Sequence, residues 1–96
     1  MFEWDPAKAE HNLAKHGVLF EEAITVFGDT QGLDGPDVEH SSSEQRFLRL
    51  GKSALGRILM VAYTVRRQED EKETIRIISA RRASKKERRQ YGSAQD

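Results

Sequence analysis

Apolar positions along this chain change period near its middle. In the first third they recur at helical spacing, and after residue 45 they come in short runs bounded by turn residues, the habit of strands. Phe2–Trp4 is short and apolar and reads as a strand. Asp5-Pro6 then marks a helix start, with Asp at the N-cap and Pro at the first helical position. This helix is predicted to run to Lys15 or His16, and Gly17 is placed to close it in a left-handed conformation. A second helix is predicted over Leu19–Phe27, because Phe20, Ala23, Ile24 and Phe27 fall at i, i+3, i+4, i+7 and make one buried face. Glu21 and Glu22 sit in its first turn, where the helix dipole favours negative charge, and Gly28 is its stop.

Residues 28–45 are rich in Gly, Asp, Pro and Ser and read as a loop, with a short strand near Leu33. Strands are predicted at Arg46–Leu50, Arg57–Arg67 and Thr74–Ala80. A turn over Gly51–Gly56 and a solvated tip, QEDEKE, over Gln68–Glu73 join them. This spacing suggests an antiparallel meander. Ser84-Lys85-Lys86-Glu87 is a capping box that opens a short basic helix from about Lys85 to Tyr91, followed by a frayed tail, Gly92–Asp96. The expected class is α+β: two N-terminal helices and a C-terminal helix packed on one face of a small antiparallel sheet.

The length, 96 residues, fits one domain spanning 1–96. Such a chain buries a little over ~60% of its unfolded surface, which suffices for one modest core but leaves no room for a large enclosed substrate pocket. With no cysteine, disulfide frameworks, thiolate zinc sites and cysteine nucleophiles are excluded, and a reducing cytosol is a natural setting. No apolar run approaches the ~20 residues needed to span a bilayer. Glu3 and Asp5 stand where the basic region of a signal peptide would be. The expectation is therefore a cytoplasmic protein with no membrane association.

Charge adds a partner. The formal net charge is +0, yet residues 1–45 hold two cations and ten acids (−8), and residues 46–96 hold fourteen cations and six acids (+8). Either the basic half meets a polyanion, or the two halves attract each other across the fold.

The densest basic run is Ala80–Arg89, ARRASKKERR, with six cations and one acid. Arginine forks match phosphate oxygens bidentately, and Arg81 and Arg82 precede a helix N-terminus, where free N–H groups attract anions. The alternative is a solvated basic helix paired with acids of the N-terminal half. Arg66 and Arg67 end the core strand three residues after Tyr63, an arrangement able to hold a phosphate while a base stacks on the ring. Equally, Tyr63 is a core residue with its hydroxyl satisfied at the rim.

Of the three histidines, His16 ends the first helix, where a cation is favoured, with general acid–base work as the alternative. His11 lies on the same helix and His40 in a loop of serines and acids. No pair has an HExxH-type spacing, so no metal is expected. Ser41–Ser43 lacks the G-x-S-x-G context of a nucleophile, and no Gly-rich phosphate loop occurs. Lys8, Asn12 and Lys15 share a helix face, either solvated or a second phosphate stripe, and Trp4 is a packing aromatic.

Three stretches together resemble the BrnT-type toxins: the opening FEWDPAKAEHNLAKHGVLFEEAITVF (Phe2–Phe27), the middle YTVR (Tyr63–Arg66) and the end IRIISARRASKKERRQY (Ile75–Tyr91). The resemblance lapses mainly in the 28–43 loop and the hairpin tip. It implies a small α+β fold related to RelE-type toxins and cleavage of RNA, without metal or other cofactor, that inhibits translation. It also implies a neutralising antitoxin, BrnA, which binds DNA, so that toxin and antitoxin together repress their operon and operator DNA is met only through the antitoxin. Carried over by residue, the resemblance places the active site on Arg66, Arg81 and Arg82 with Tyr63 nearby. Lys85, Lys86, Arg88 and Arg89 would add contacts to the RNA backbone.

The acidic tip over 68–73 departs from the tight turn expected of the family and either repels RNA near Arg66 or contacts the antitoxin. Metal-free cleavage uses the 2′-OH of the substrate as nucleophile, with arginines neutralising the phosphorane-like charge. Glu87 and His16 are the candidate bases, Glu87 the weaker because capping occupies it. A non-catalytic nucleic-acid-binding module shares the basic half but forms no product. A pure interaction protein, whose acidic half docks a basic partner, would bind no RNA in a salt-sensitive way.

Overall fold

The computed structural model describes residues 1–40, 44–67, 69 and 72–93. Strand β1 (Phe2–Glu3) leads into helix α1 (Pro6–His16). Asp5 caps α1 by accepting the Ala7 N–H at 2.8 Å, and Gly17 closes it at φ 68°, where a side chain would be strained. Helix α2 is only Phe20–Ala23 and tightens into a 3-10 segment, Ile24–Gly28. The single helix expected over Leu19–Phe27 is thus corrected. A 3-10 turn aligns residues three apart, so Phe20, Ala23 and Val26 are fully buried while Ile24 and Phe27 lie at the margin. The Thr25 hydroxyl donates to Glu22 O at 2.6 Å, and Val26 O accepts both the Asp29 N–H at 3.2 Å, an i+3 bond, and Arg49 Nε at 2.9 Å.

Four further strands follow, β2 (Leu33–Pro36), β3 (Phe47–Lys52), β4 (Ile58–Arg67) and β5 (Glu73–Arg82), before helix α3 (Lys85–Ser93). The sheet order is β1-β5-β4-β3-β2. The β3 to β5 portion is the antiparallel meander expected, and the short strand near Leu33, β2, extends it antiparallel to β3; β1 pairs parallel to β5, so the sheet is mixed. The helices also divide between faces. One face of β4 and β5 (Leu59, Val61, Tyr63, Ile77, Ala80) packs with Val18, Phe20, Ala23 and Val26 into the main core. On the other, Ile58 and Met60 join Leu50 and Ala83 beneath Tyr91 of α3. Alternation along β4 forces this split, since Leu59 and Met60 cannot share a face.

Strand β1 covers only the start of β5, pairing Phe2 with Ile75 and Glu3 with Arg76. Beyond it, Asn12 of α1 takes the place of a neighbouring strand. It is 4% exposed, donates from Nδ2 to Ala80 O at 2.8 Å and to Val18 O at 3.0 Å, and accepts the Ala80 N–H at 3.0 Å. Asn12 therefore belongs to neither a solvated face nor a phosphate stripe.

The expected tip over 68–73 and the Ser41–Ser43 run lie partly or wholly outside the described residues, as do 94–96 of the expected tail; Gly92 and Ser93 continue α3. Among the described residues no helix is long and apolar enough to cross a membrane.

Candidate active site

Strand β5 continues two residues past its expected end at Ala80, and that extension decides where the arginines go. Arg81 pairs with Met60 and so emerges on the α3 side of the sheet, whereas Arg82 pairs with Leu59 and faces the main-core side. There the charge of Arg82 reaches Glu22, whose carboxyl is held below the usual range chiefly by the Arg57 guanidinium, to which it is paired. Arg66 pairs with Thr74 and follows Met60, Ala62 and Thr64 on the α3 side, where it is exposed and lies 3.7 Å from Glu44.

Tyr63 is in the main core. Phe27 meets its ring edge-on with centroids 5.0 Å apart, and Phe47 stacks on it at 5.5 Å. Its hydroxyl donates to Asp34 Oδ1 at 2.6 Å, and burial together with that carboxylate pushes the phenol pKa up. The structure thus brings Arg66 and Arg81 to one face and leaves Tyr63 and Arg82 on the other.

The predicted capping box is present: Glu87 N–H donates to Ser84 Oγ at 3.2 Å, and Ser84 N–H donates to Glu87 Oε1 at 2.8 Å. Glu87 also takes both arms of Arg81, at 2.7 and 2.9 Å. The guanidinium fork, with help from Ser84, lowers the Glu87 pKa from 4.5 to about 2. A carboxylate held this way keeps no affinity for a proton near neutrality and is a poor general base. His16, the other candidate base, lines a groove between α1 and β5 together with Lys8, His11 and Lys15.

On the α3 side the sheet is open beyond the helix. Two grooves, of about 710 and 290 Å³, share the floor residues Leu48 and Met60. The larger runs between β2 and α3, with Lys86 and Arg89 on its wall. Arg88 instead turns back to donate to Ala83 O at 2.9 Å, and Lys85 is solvated. The smaller groove has Arg81 of β5 at one end of its lining, Met60, Ala62 and Leu48 as floor, and Arg46 beside Asp37, Glu39 and His40 at the β3–β2 end. Asp37 N–H donates to Arg46 O at 2.8 Å, which prolongs the β2–β3 pairing and brings this loop over the sheet. His40 Nδ1 lies 3.2 Å from Asp37 Oδ1.

Sequence reasoning gives no site role to Asp37, Arg46 or His40, the last placed only in a loop of serines and acids. The available signal was the i, i+3 spacing of an acid and a histidine in a loop returning to a strand. Among the described residues no group of three or more His, Asp or Glu is arranged to hold a metal ion.

This arrangement presents cations from strands and a helix, with a histidine and carboxylates lining the same open face. It can grip a phosphodiester and move a proton near it. Residues 4–87 match the profile of the family described as "Ribonuclease toxin, BrnT, of type II toxin-antitoxin system". The fold is similar to that of the Brucella abortus ribonuclease toxin BrnT, known from a crystal structure at 1.1 Å resolution. The TM-score is 0.62 at 23% identity, over 88% of this chain and 99% of that one. No curated relative matches. The profile match spans most of the chain and all of the arginines on the open sheet face, and the chain belongs to the BrnT family of ribonuclease toxins.

Proposed function

We propose that this protein is an endoribonuclease that cuts RNA without a metal ion, on the α3-side face of its sheet. The observation that carries the reading is the convergence of Arg81 and Arg46 on an open groove, with Arg66 on the same sheet face. A phosphodiester laid there meets guanidinium groups, that of Arg81 held in place by Glu87. Lys86 and Arg89, one helical turn apart on α3, contact the flanking phosphates. Arg81 is preorganised by Glu87 yet remains 43% exposed in its side chain, so it can reach a substrate. Preorganised donors stabilise the charge that develops on the phosphoryl oxygens as the 2′-oxygen attacks.

Tyr63 and Arg82 support this face from behind: Tyr63 fills the core under β4, and Arg82 adds charge near Glu22. Cutting RNA inhibits translation. Family membership supports an antitoxin partner of the BrnA kind, which neutralises the toxin and alone contacts operator DNA, and a cytoplasmic site of action. The fold relationship to RelE-type toxins is part of the same reading.

The test is incubation of antitoxin-free protein with RNA in EDTA, on free RNA and on translating ribosomes, beside Arg81→Ala and Arg66→Ala proteins whose unfolding transitions are checked first. Cleavage by the parent in EDTA, with loss in both folded variants, is the expected result. Binding without product would make the protein a nucleic-acid-binding module instead, and cleavage lost in EDTA and restored by a divalent metal would remove the metal-free mechanism.

A further inference from the structure

The proposed face supplies charge but, in Arg46, Arg66 and Arg81, no group that readily takes a proton. Glu87 is forked to Arg81, and His16 lines the separate groove along α1. His40 lines the same groove as Arg46 and Arg81. Its side chain is 60% exposed, while that of its partner Asp37 is 9% exposed. Asp37 is anchored through its backbone on both sides: its N–H donates to Arg46 O at 2.8 Å, and its O accepts the His40 N–H at 3.4 Å. A carboxylate can only accept, so the 3.2 Å contact from Nδ1 to Asp37 Oδ1 places the ring proton on Nδ1 and leaves the Nε2 lone pair unblocked by it. A buried carboxylate that orients an exposed imidazole in this tautomer is the arrangement used to keep a histidine ready as a base.

We propose that His40 is the general base of RNA cleavage and that Asp37 is its positioning residue; this rests on the ribonuclease reading above. Nε2 takes the proton of the substrate 2′-OH as the O2′–P bond forms. The P–O5′ bond breaks, and the departing 5′-oxygen takes a proton from water. The products are a 2′,3′-cyclic phosphate and a 5′-hydroxyl end, and the imidazolium then returns its proton to solvent. Arg81 and Arg46 hold the phosphoryl oxygens throughout.

The experiment compares the parent with H40A, H40Q, D37N and H40Q/D37N, each checked by thermal unfolding. Single-turnover cleavage in EDTA is measured on the RNA the parent cuts, free or ribosome-bound. Affinity is measured on the same RNA made uncleavable by 2′-O-methylation. H40Q can keep a hydrogen bond to Asp37 but cannot act as a base. Both H40A and H40Q are expected to cut roughly 10²–10⁴-fold more slowly than the parent, with affinity changed by less than about threefold. D37N is expected to slow the parent by about tenfold or more yet to add nothing in the H40Q background, because a positioning residue acts only through the group it positions.

H40Q cutting within about threefold of the parent would assign His40 a purely structural role and overturn the proposal. D37N slowing the H40Q protein as much as the parent would remove Asp37 from it. A parent that forms no product under any of these conditions would overturn the ribonuclease reading itself, a result distinct from a parent that cuts and an H40Q that cuts equally well.

Discussion

Both carboxylate oxygens of Glu87 accept from the Arg81 guanidinium, at 2.7 and 2.9 Å, so the side chain that starts α3 also aims the last arginine on the α3 side of β5. One residue thereby closes a capping box, couples strand to helix and fixes the direction of the Arg81 guanidinium.

Glu87→Gln is expected to lower stability by about 1–2 kcal/mol, since one ring of cap and charge-assisted bonds is lost at a half-exposed site. The effect carries a pH signature. The folded-state pKa, about 2, lies below the unbound value of 4.5, so the stabilisation is fully present above about pH 4.5 and fades as pH falls towards 2. Urea unfolding of parent and variant between pH 6 and pH 2 should show their difference shrinking at the acid end. A constant difference would mean that the charge of Glu87 contributes nothing.

Arg81→Ala and Arg82→Ala should behave differently although the residues are adjacent. Arg81 stands on the proposed face and its loss is expected to slow RNA cleavage by roughly 10²-fold or more. Arg82 faces away, and its loss should leave cleavage within about fivefold of the parent. Parallel rate measurements decide, and equal losses would place the substrate across the sheet end rather than on one face.

Tyr63→Phe keeps the ring that packs against Phe27 and Phe47 and removes only the bond to Asp34. A loss of about 1 kcal/mol in unfolding free energy is expected, with cleavage rate nearly unchanged. A large rate loss at full stability would return the phenol to the active site.

Asn12→Asp is close in shape but no longer supplies the amide donor to the Ala80 and Val18 carbonyls. Two buried acceptors then lack a partner and face a carboxylate, so a destabilisation of about 2–4 kcal/mol is expected. Thermal or chemical unfolding measures it, and a variant as stable as the parent would show that the exposed edge of β5 is held by something else.

Local signals in the chain were read well where the physics is local. Asp5, Pro6 and Gly17 bound α1, and Ser84 with Glu87 opens α3, because caps and left-handed stops depend on residues a few positions apart. The end of α2 is less local: its apolar spacing fits an α-helix as well as a 3-10 segment, and the side chain that meets its last turn, Arg49 at Val26 O, comes from more than twenty residues away. The candidate site was legible in its basic character and in two of its residues, Arg66 and Arg81. Asp37, Arg46 and His40 were not legible, because the loop and the strand after it are brought together by tertiary contacts such as the backbone bond between Asp37 and Arg46.

By itself the sequence determined the α+β class, the caps, the antiparallel β3 to β5 order and the charge asymmetry, all of which follow from period, spacing and composition. Only the tertiary structure decided which face each arginine occupies, the parallel placement of β1 and the opposite placement of α3. Side-chain direction on a strand alternates with every residue, so extending β5 to Arg82 is what places Arg81 over the groove and Arg82 behind it.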